Sequence, residues 1–492
     1  MNPFKKLASQ TAIYGLPTIV GRLLIYLLNP IFTYNFTPAE IGIQSAGLSY
    51  TAFLLVLLTY GMETALFRFS QKEPELKQNI FSTALISVFT SSVLFIFIVY
   101  LLRGYLAEKA KFYGHPEYVV WFSIIIAADA FSAVSYAKLR EQGKAKRFAS
   151  IRFINIGLTI VLNLFFILFC KYVYEADSSV FKPFVEKVFN PKLRVGYIFI
   201  INMIASLTTV VMLLPTILTV KLEFDSKLWK RMMVYALPLL IAGLAGTVND
   251  TLDRILLSHL LPAGKAMTQI GIYSACLKLS IIMSIFIQAF RFAAEPFFFG
   301  RSKEKDSKEV MAEVLKFFVI ICSLIFLVTM MNLQWLQYFI GTPEFRTGIK
   351  VVPILLLANM FLGIFWNQSI WFKLSGQTHF GAFLAIFGAI ITIVLNFYWI
   401  PRIGYMGSAW ATLICYASMM VASYFLGNKH YPVNYDIKRI LGYLTLSITL
   451  YLFSILIKTN HSVLNLFMNN VLVVVFIAVI WRFEKTNLRK LV

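Results

Sequence analysis

Apolar runs broken by short clusters of charged and turn-forming residues make up the chain from end to end. About fourteen of these runs approach or exceed the ~20 residues that a helix needs to cross the hydrocarbon core of a membrane. They lie near residues 11–34, 42–67, 80–102, 117–137, 150–170, 195–220, 232–257, 268–299, 314–340, 349–372, 379–400, 405–426, 437–457 and 463–482. The eighth is long enough to hold a break. Period-2 alternation is absent, which argues against a membrane β-barrel. The pattern predicts an all-α polytopic membrane protein.

Five short motifs recur in the same order about 210 to 235 residues further on. Tyr14-Gly15-Leu16-Pro17 returns as Tyr235-Ala236-Leu237-Pro238. Ile41-Gly42-Ile43 with Ser45-Ala46 returns as Ile270-Gly271-Ile272 with Ser274-Ala275. Lys138-Leu139 and Gln142 return as Lys373-Leu374 and Gln377. Thr159-Ile160-Val161-Leu162-Asn163 returns unchanged as Thr392 to Asn396, and Arg194-x-Gly196-Tyr197 as Arg402-x-Gly404-Tyr405. The chain is therefore predicted to hold two six-helix repeats, residues 1–220 and 221–430, followed by an additional helix pair and cytoplasmic tail at 431–492. An even number of helices gives both repeats the same orientation. They are then parallel repeats about an axis along the membrane normal, around a central cavity. The last matched pair is closer together than the pair before it, so the first repeat carries an insertion. The polar stretch Lys171–Lys192 is the candidate, as an external hairpin or short amphipathic segment. Pro17 and Pro238 hold equivalent places in the first and seventh helices, where the lost backbone hydrogen bond can bend each helix.

Composition agrees: 59% of residues are hydrophobic and 14% charged, outside the soluble globular range. The formal net charge of +22 changes the picture only through its distribution. Lys and Arg concentrate in the loops and tails on one side, and the positive-inside rule then puts both termini in the cytoplasm. The excess is a topology signal, and no nucleic acid is expected as a partner. Its densest part, Lys138 to Arg152, could also meet anionic lipid or a cytoplasmic partner. The four cysteines lie singly in apolar runs with no C-x-x-C pair, so neither a disulfide framework nor a metal site is expected. No Walker-type loop occurs, so this chain is not expected to hydrolyse ATP, and no cofactor is expected.

The candidate chemistry lies in ionisable residues within apolar runs: Arg22, Glu63, Asp129, Asp250, Asp253, Arg254, Lys278, Arg291 and Glu295. A charge at the middle of a lipid-facing helix costs about 2.5–3.5 kcal/mol, so these side chains are expected to pair or to line a wet cavity. Asp250 with Arg254 and Arg291 with Glu295 are spaced to pair along one helix face. Arg254 and Glu63 lie near helix ends and could also snorkel. Arg22 and Asp129 fall near mid-membrane with no opposite charge one turn away. Arg22 is expected to line the cavity, and a buried Arg22–Asp129 ion pair is the competing reading. Asp129 could instead bind a coupling ion. Lys278 lies off the Arg291/Glu295 face.

The chain resembles the multidrug/oligosaccharidyl-lipid/polysaccharide flippase superfamily, and within it the bacterial polysaccharide-biosynthesis flippases of the O-antigen type. The resemblance rests on Tyr235-Ala236-Leu237-Pro238, then on Asn249-Asp250-Thr251-Leu252-Asp253-Arg254-Ile255-Leu256-Leu257. Gly271-Ile272-Tyr273-Ser274-Ala275 and Lys373-Leu374-Ser375-Gly376-Gln377 follow in order. It implies a secondary-active flippase in a bacterial cytoplasmic (inner) membrane, not an enzyme. The implied cargo is polyprenyl-pyrophosphate-linked oligosaccharide, moved from the inner to the outer leaflet by alternating access. Arg22, Arg254, Lys278 and Arg291 are then the cations that could hold the pyrophosphate or acidic sugars. Asp129, Glu63, Asp250, Asp253 and Glu295 are the cavity acids or coupling-ion candidates. H+ or Na+ coupling, membrane lipid and polysaccharide-assembly proteins are the further partners implied. Lipid II flippases have a cavity richer in arginine, which argues against the peptidoglycan precursor as cargo.

Two other readings stay open. A cation-coupled multidrug or small-molecule exporter of the same superfamily would use the acids. A membrane polysaccharide polymerase or ligase would need catalytic residues on a large external loop, and Lys171 to Arg194 has no His.

Overall fold

A computed structural model describes residues 19–21, 23–176, 179–301, 304, 306–457 and 459–491. Among these residues all regular secondary structure is helical. A short helix, α1 (Asn29–Asn35), holds the end of the first apolar run. Pro17 and Arg22 lie outside the described residues. Thirteen helices long and apolar enough to span a membrane follow. They are α2 (Pro38–Lys72), α3 (Pro74–Leu101), α4 (Pro116–Glu141), α5 (Ala145–Glu175), α6 (Gly196–Ile217), α7 (Ser226–Leu260) and α8 (Ala263–Arg301). The rest are α9 (Ser307–Met331), α10 (Pro343–Leu374), α11 (His379–Ile403), α12 (Tyr405–His430), α13 (Ile437–Leu456) and α14 (Ser462–Lys485).

Local chemistry sets several helix starts. At α2 the Thr37 hydroxyl accepts the Glu40 N–H while the Glu40 carboxylate accepts the Thr37 N–H, and Pro38 fills the first turn. Asp225 caps α7 by accepting the N–H groups of Lys227 and Leu228. The helix bodies expose large apolar side chains such as Phe97 and Leu94 on α3, as lipid-facing helices do.

Not every proline interrupts its helix. α7 is continuous through Pro238. The eighth run holds no break, since α8 is one helix of 39 residues. α2 is interrupted instead at Tyr60 and Gly61, which have φ of 34° and 73°. The turn sits against α7, where a β-carbon on Gly61 would stand 2.9 Å from the Ala236 carbonyl oxygen. The insertion continues α5 to Glu175, then forms a short helix (Lys182–Val188) and a 3-10 turn (Pro191–Leu193). Residues 164–170 of α5 are π-helical.

Packing divides the chain into two compact units. The first holds Ala275–Ile391 and Ala409–Val492. Its cores join Phe365, Trp371 and Phe372 of α10 to Leu384 of α11 and Tyr416 of α12, and Leu327 and Met331 of α9 to Phe476 of α14. The second unit holds the described residues up to Ser274, with Thr392–Ser408. Its largest core joins Met62 and Leu66 of α2, Ile80 and Phe81 of α3, Val134 of α4 and Met232 of α7.

Within the second unit the sequence repeat becomes a spatial one. Glu40 precedes Ile41-Gly42-Ile43 as Gln269 precedes Ile270-Gly271-Ile272. Glu40 holds Arg194 of the Arg-x-Gly-Tyr turn in a two-pronged ion pair, with Nη2 to Oε2 at 2.8 Å. Gln269 accepts the backbone N–H of Tyr405 in the equivalent turn at 3.1 Å. The two copies also touch each other. A β-carbon on Gly42 would collide with the Met267 carbonyl, and one on Gly271 with the Pro38 carbonyl. Pro38 and Met267 are themselves matched positions, so the contact is reciprocal, as across a pseudo-twofold axis.

Candidate functional site

In the first unit, ionisable residues of α8 and α10 converge. Glu295 accepts Lys373 Nζ at 2.6 Å and lies 3.3 Å from Arg291 Nε. The Trp366 ring lies beneath both cations, 4.3 Å from Arg291 Cζ and 5.8 Å from Lys373 Nζ. Two cations against one carboxylate leave the group with net positive charge, and Arg291 keeps 45% of its side-chain surface exposed. The spacing of Arg291 and Glu295 did predict their pairing. Lys373 was legible only as a repeat anchor, and Trp366 carried no signal among so many aromatic residues.

Polar atoms without partners gather on the same stretch. Both amide atoms of Asn367, Gln368 Oε1 and Trp371 Nε1 are buried on α10 with no hydrogen-bond partner among the described residues. Gln288 Oε1, one turn before Arg291 on α8, is in the same state. A buried polar group left unpaired costs about 1–3 kcal/mol, which a water or another polar group at each atom would relieve. Lys278 is half-buried on α8, thirteen positions before Arg291.

The second unit carries three further groups. Arg140 on α4 donates from Nη2 to Glu63 Oε2 on α2 at 2.8 Å, so Glu63 is paired across helices just beyond the Gly61 turn. Asp129 on α4 lies beside Ser206 of α6 and in the field of Arg152. Arg152, on α5, also acts on Glu63 and stacks 4.2 Å over the Tyr136 ring. Sequence reasoning assigned Arg152 to a surface basic cluster and missed this role, because its partners lie on other helices. On α7, Arg254 lies 3.9 Å from the Asp253 carboxylate and donates to the Asp250 carbonyl at 3.2 Å. Asp253 is buried and accepts the Tyr273 hydroxyl at 2.8 Å. Next to it, Asn249 accepts from Thr392, the first residue of the repeated Thr-Ile-Val-Leu-Asn motif.

The two repeats use one device. A carboxylate near the end of α2 meets a cation near the end of α4 (Glu63 with Arg140), and a carboxylate near the end of α8 meets one near the end of α10 (Glu295 with Lys373).

Outside the spans, Glu73 receives both prongs of the Arg231 guanidinium, at 3.0 and 2.8 Å, which holds its carboxyl below the usual carboxylate range. Burial lowers the Lys111 ammonium, whose Nζ donates to the Leu261 carbonyl at 2.8 Å.

A family model described as "Polysaccharide biosynthesis protein" matches residues 7–300. An uncharacterized membrane protein of Methanocaldococcus jannaschii is 20% identical over 424 residues, which are 82% of this chain and 81% of that one. Among solved structures, the fold is similar to that of the lipid II flippase MurJ in an inward closed conformation. The TM-score there is 0.71 at 15% identity, covering 95% of this chain and 98% of that one. It is also similar to an inward-facing multidrug resistance MATE family transporter of the MOP superfamily. That match has a TM-score of 0.59 at 15% identity and covers 87% and 94% of the two chains.

Proposed function

The chain belongs to the polysaccharide biosynthesis protein family, and from that premise we propose that it is a secondary-active flippase for polyprenyl-pyrophosphate-linked oligosaccharide. It works by alternating access in a bacterial cytoplasmic membrane, with both termini in the cytoplasm, and carries the head group from the inner to the outer leaflet. The lipid tail stays in the bilayer, because only the charged and hydroxylated part faces a barrier in hydrocarbon. An ion gradient, H+ or Na+, or the membrane potential drives the cycle.

The observation that carries this reading is the cluster of Arg291, Lys373, Glu295 and Trp366 in the first unit. A guanidinium can grip a phosphate with two parallel hydrogen bonds, an ammonium adds a point charge, and an indole face suits a sugar ring. Glu295 keeps both cations oriented when no cargo is bound. Arg22, Arg254 and Lys278 complete the proposed set of cargo-binding cations, and Asp129, Glu63, Asp250 and Asp253 the acids available for ion coupling.

The test is leaflet translocation of a polyprenyl-pyrophosphate oligosaccharide in proteoliposomes. Wild type is expected to translocate it, and Arg291→Ala to lose about tenfold or more of the rate, as for one charge-assisted contact. Movement of a cationic dye with no movement of the glycolipid would replace this reading by the exporter one.

A further inference from the structure

The insertion that sets the first repeat apart builds a pocket from chain segments that the second repeat lacks. In the second repeat Asn396 is followed almost at once by Arg402-x-Gly404-Tyr405, whereas the equivalent Asn163 and Arg194 are separated by the end of α5 and the Lys182–Val188 helix. Between these parts lies a cavity of about 320 Å³, beside the starts of α2 and α6. Small-molecule sites start at roughly this size, ~300–1,000 Å³.

The walls are aromatic and the edges polar. Phe166, Tyr197 and Phe189 form a three-ring stack, with centroids 4.9 and 5.2 Å apart, and Tyr174 adds an exposed ring. Lys171 Nζ donates to Asn35 Oδ1 at 3.1 Å, and its remaining N–H groups have donor capacity beyond that bond. The Glu175 carboxylate supplies acceptors, and Arg194 is held in place by Glu40. Lys171 and Arg194 face two carboxylates, so the rim carries no excess positive charge to attract a phosphate. Matched donors and acceptors around aromatic faces are what a neutral, hydroxylated ring needs.

Backbone irregularity also converges here. Phe166 and Ile167 line the cavity from the π-helical part of α5, a geometry that often marks functional sites. Arg194 on the opposite wall has φ of 40°, in the left-handed region that non-glycine residues seldom occupy.

We propose that this pocket binds a neutral sugar residue. Resting on the flippase reading and its topology, the site faces the outer leaflet and receives the delivered oligosaccharide.

Saturation-transfer NMR on the detergent-purified full chain tests it, with methyl glycosides of glucose, galactose, mannose, rhamnose and N-acetylglucosamine as probes. At least one glycoside is expected to bind, about tenfold more weakly to Tyr174→Ala and to Lys171→Gln, and without displacement by inorganic phosphate. Thermal unfolding checks that the variants fold, and Lys171→Gln keeps the test decisive if Tyr174→Ala does not. Absence of binding, equal binding by the variants, or displacement by phosphate would overturn the proposal. Free glycosides need no translocation to bind. Failure of the flippase assay therefore leaves this result standing, and failure here leaves the flippase assay standing.

Discussion

Ser45 Oγ and Ser274 Oγ share a hydrogen bond of 2.6 Å, although 229 residues separate them. They are the same position of the two repeats, so α2 and α8 meet through equivalent residues, with the glycine contacts of Gly42 and Gly271 a turn away. Cysteine at both positions is expected to form a disulfide on mild oxidation in native membranes, within the short reach that bond allows. A gel shift after proteolysis between the halves reads it, and no cross-link under any turnover condition would remove the crossing.

Gly42→Leu in that double-cysteine background is expected to lower cross-linking severalfold, because its side chain must displace the Met267 backbone and part the helices. Gly104→Leu, where a β-carbon meets nothing within 4 Å, is the matched control and is expected to change nothing.

Glu484 is wholly buried on α14, where it meets Lys316 of α9 at 2.9 Å and Arg439 of α13 at 3.0 Å and accepts the Tyr443 hydroxyl. Glu484→Ala leaves Lys316, whose side chain is only 3% exposed, with Glu313 at 2.9 Å as its remaining carboxylate, and is expected to cost about 1.5–3 kcal/mol. Thermal unfolding in detergent checks this. Lys316→Met combined with Glu484→Leu is expected to recover a large part of the loss.

The Glu63–Arg140 pair is about a third exposed on both sides, so Glu63→Gln is expected to cost about 1 kcal/mol or less. Exchange of the two charges is expected to restore the melting temperature to within experimental error. A swap that unfolds the protein would mean that the neighbours, Arg152 among them, fix the polarity of the pair.

At the proposed cargo site, Trp366→Ala is expected to slow glycolipid translocation several-fold while Trp366→Phe keeps most of it, since a smaller aromatic face still lies beneath Arg291. Equal rates for the two variants would make the ring a packing element only.

Spanning helices were legible because lipid forces apolar runs into helices, and thirteen of the about fourteen expected runs form them among the described residues. The repeat motifs were legible because Gly42, Gly271, Arg194 and Arg402 stand out against an apolar background. The break in α2 was not, since Tyr60-Gly61 looks like any glycine in a long apolar run, and the cause lies on α7 at Ala236. Pairing was legible only along one helix, as for Arg291 and Glu295. The i,i+4 rule pointed Arg254 at the Asp250 carboxylate, whereas its guanidinium also reaches the Asp250 carbonyl and the Asp253 carboxylate. Lys373, Arg152 and Glu484 take partners from distant parts of the chain, and no spacing announces such partners.

The reciprocal contact of Gly42 with Met267 and Gly271 with Pro38 is that of an isologous interface enclosed in one polypeptide. A half-length chain carrying either set would be self-complementary there and could meet its own copy as a homodimer. Once two copies are fused, each is free to diverge wherever it does not touch the other. Glu40 and Gln269 have done so, one holding a guanidinium and the other a backbone N–H. At the crossing that freedom ends, because the space each glycine leaves is filled by the other copy's main chain.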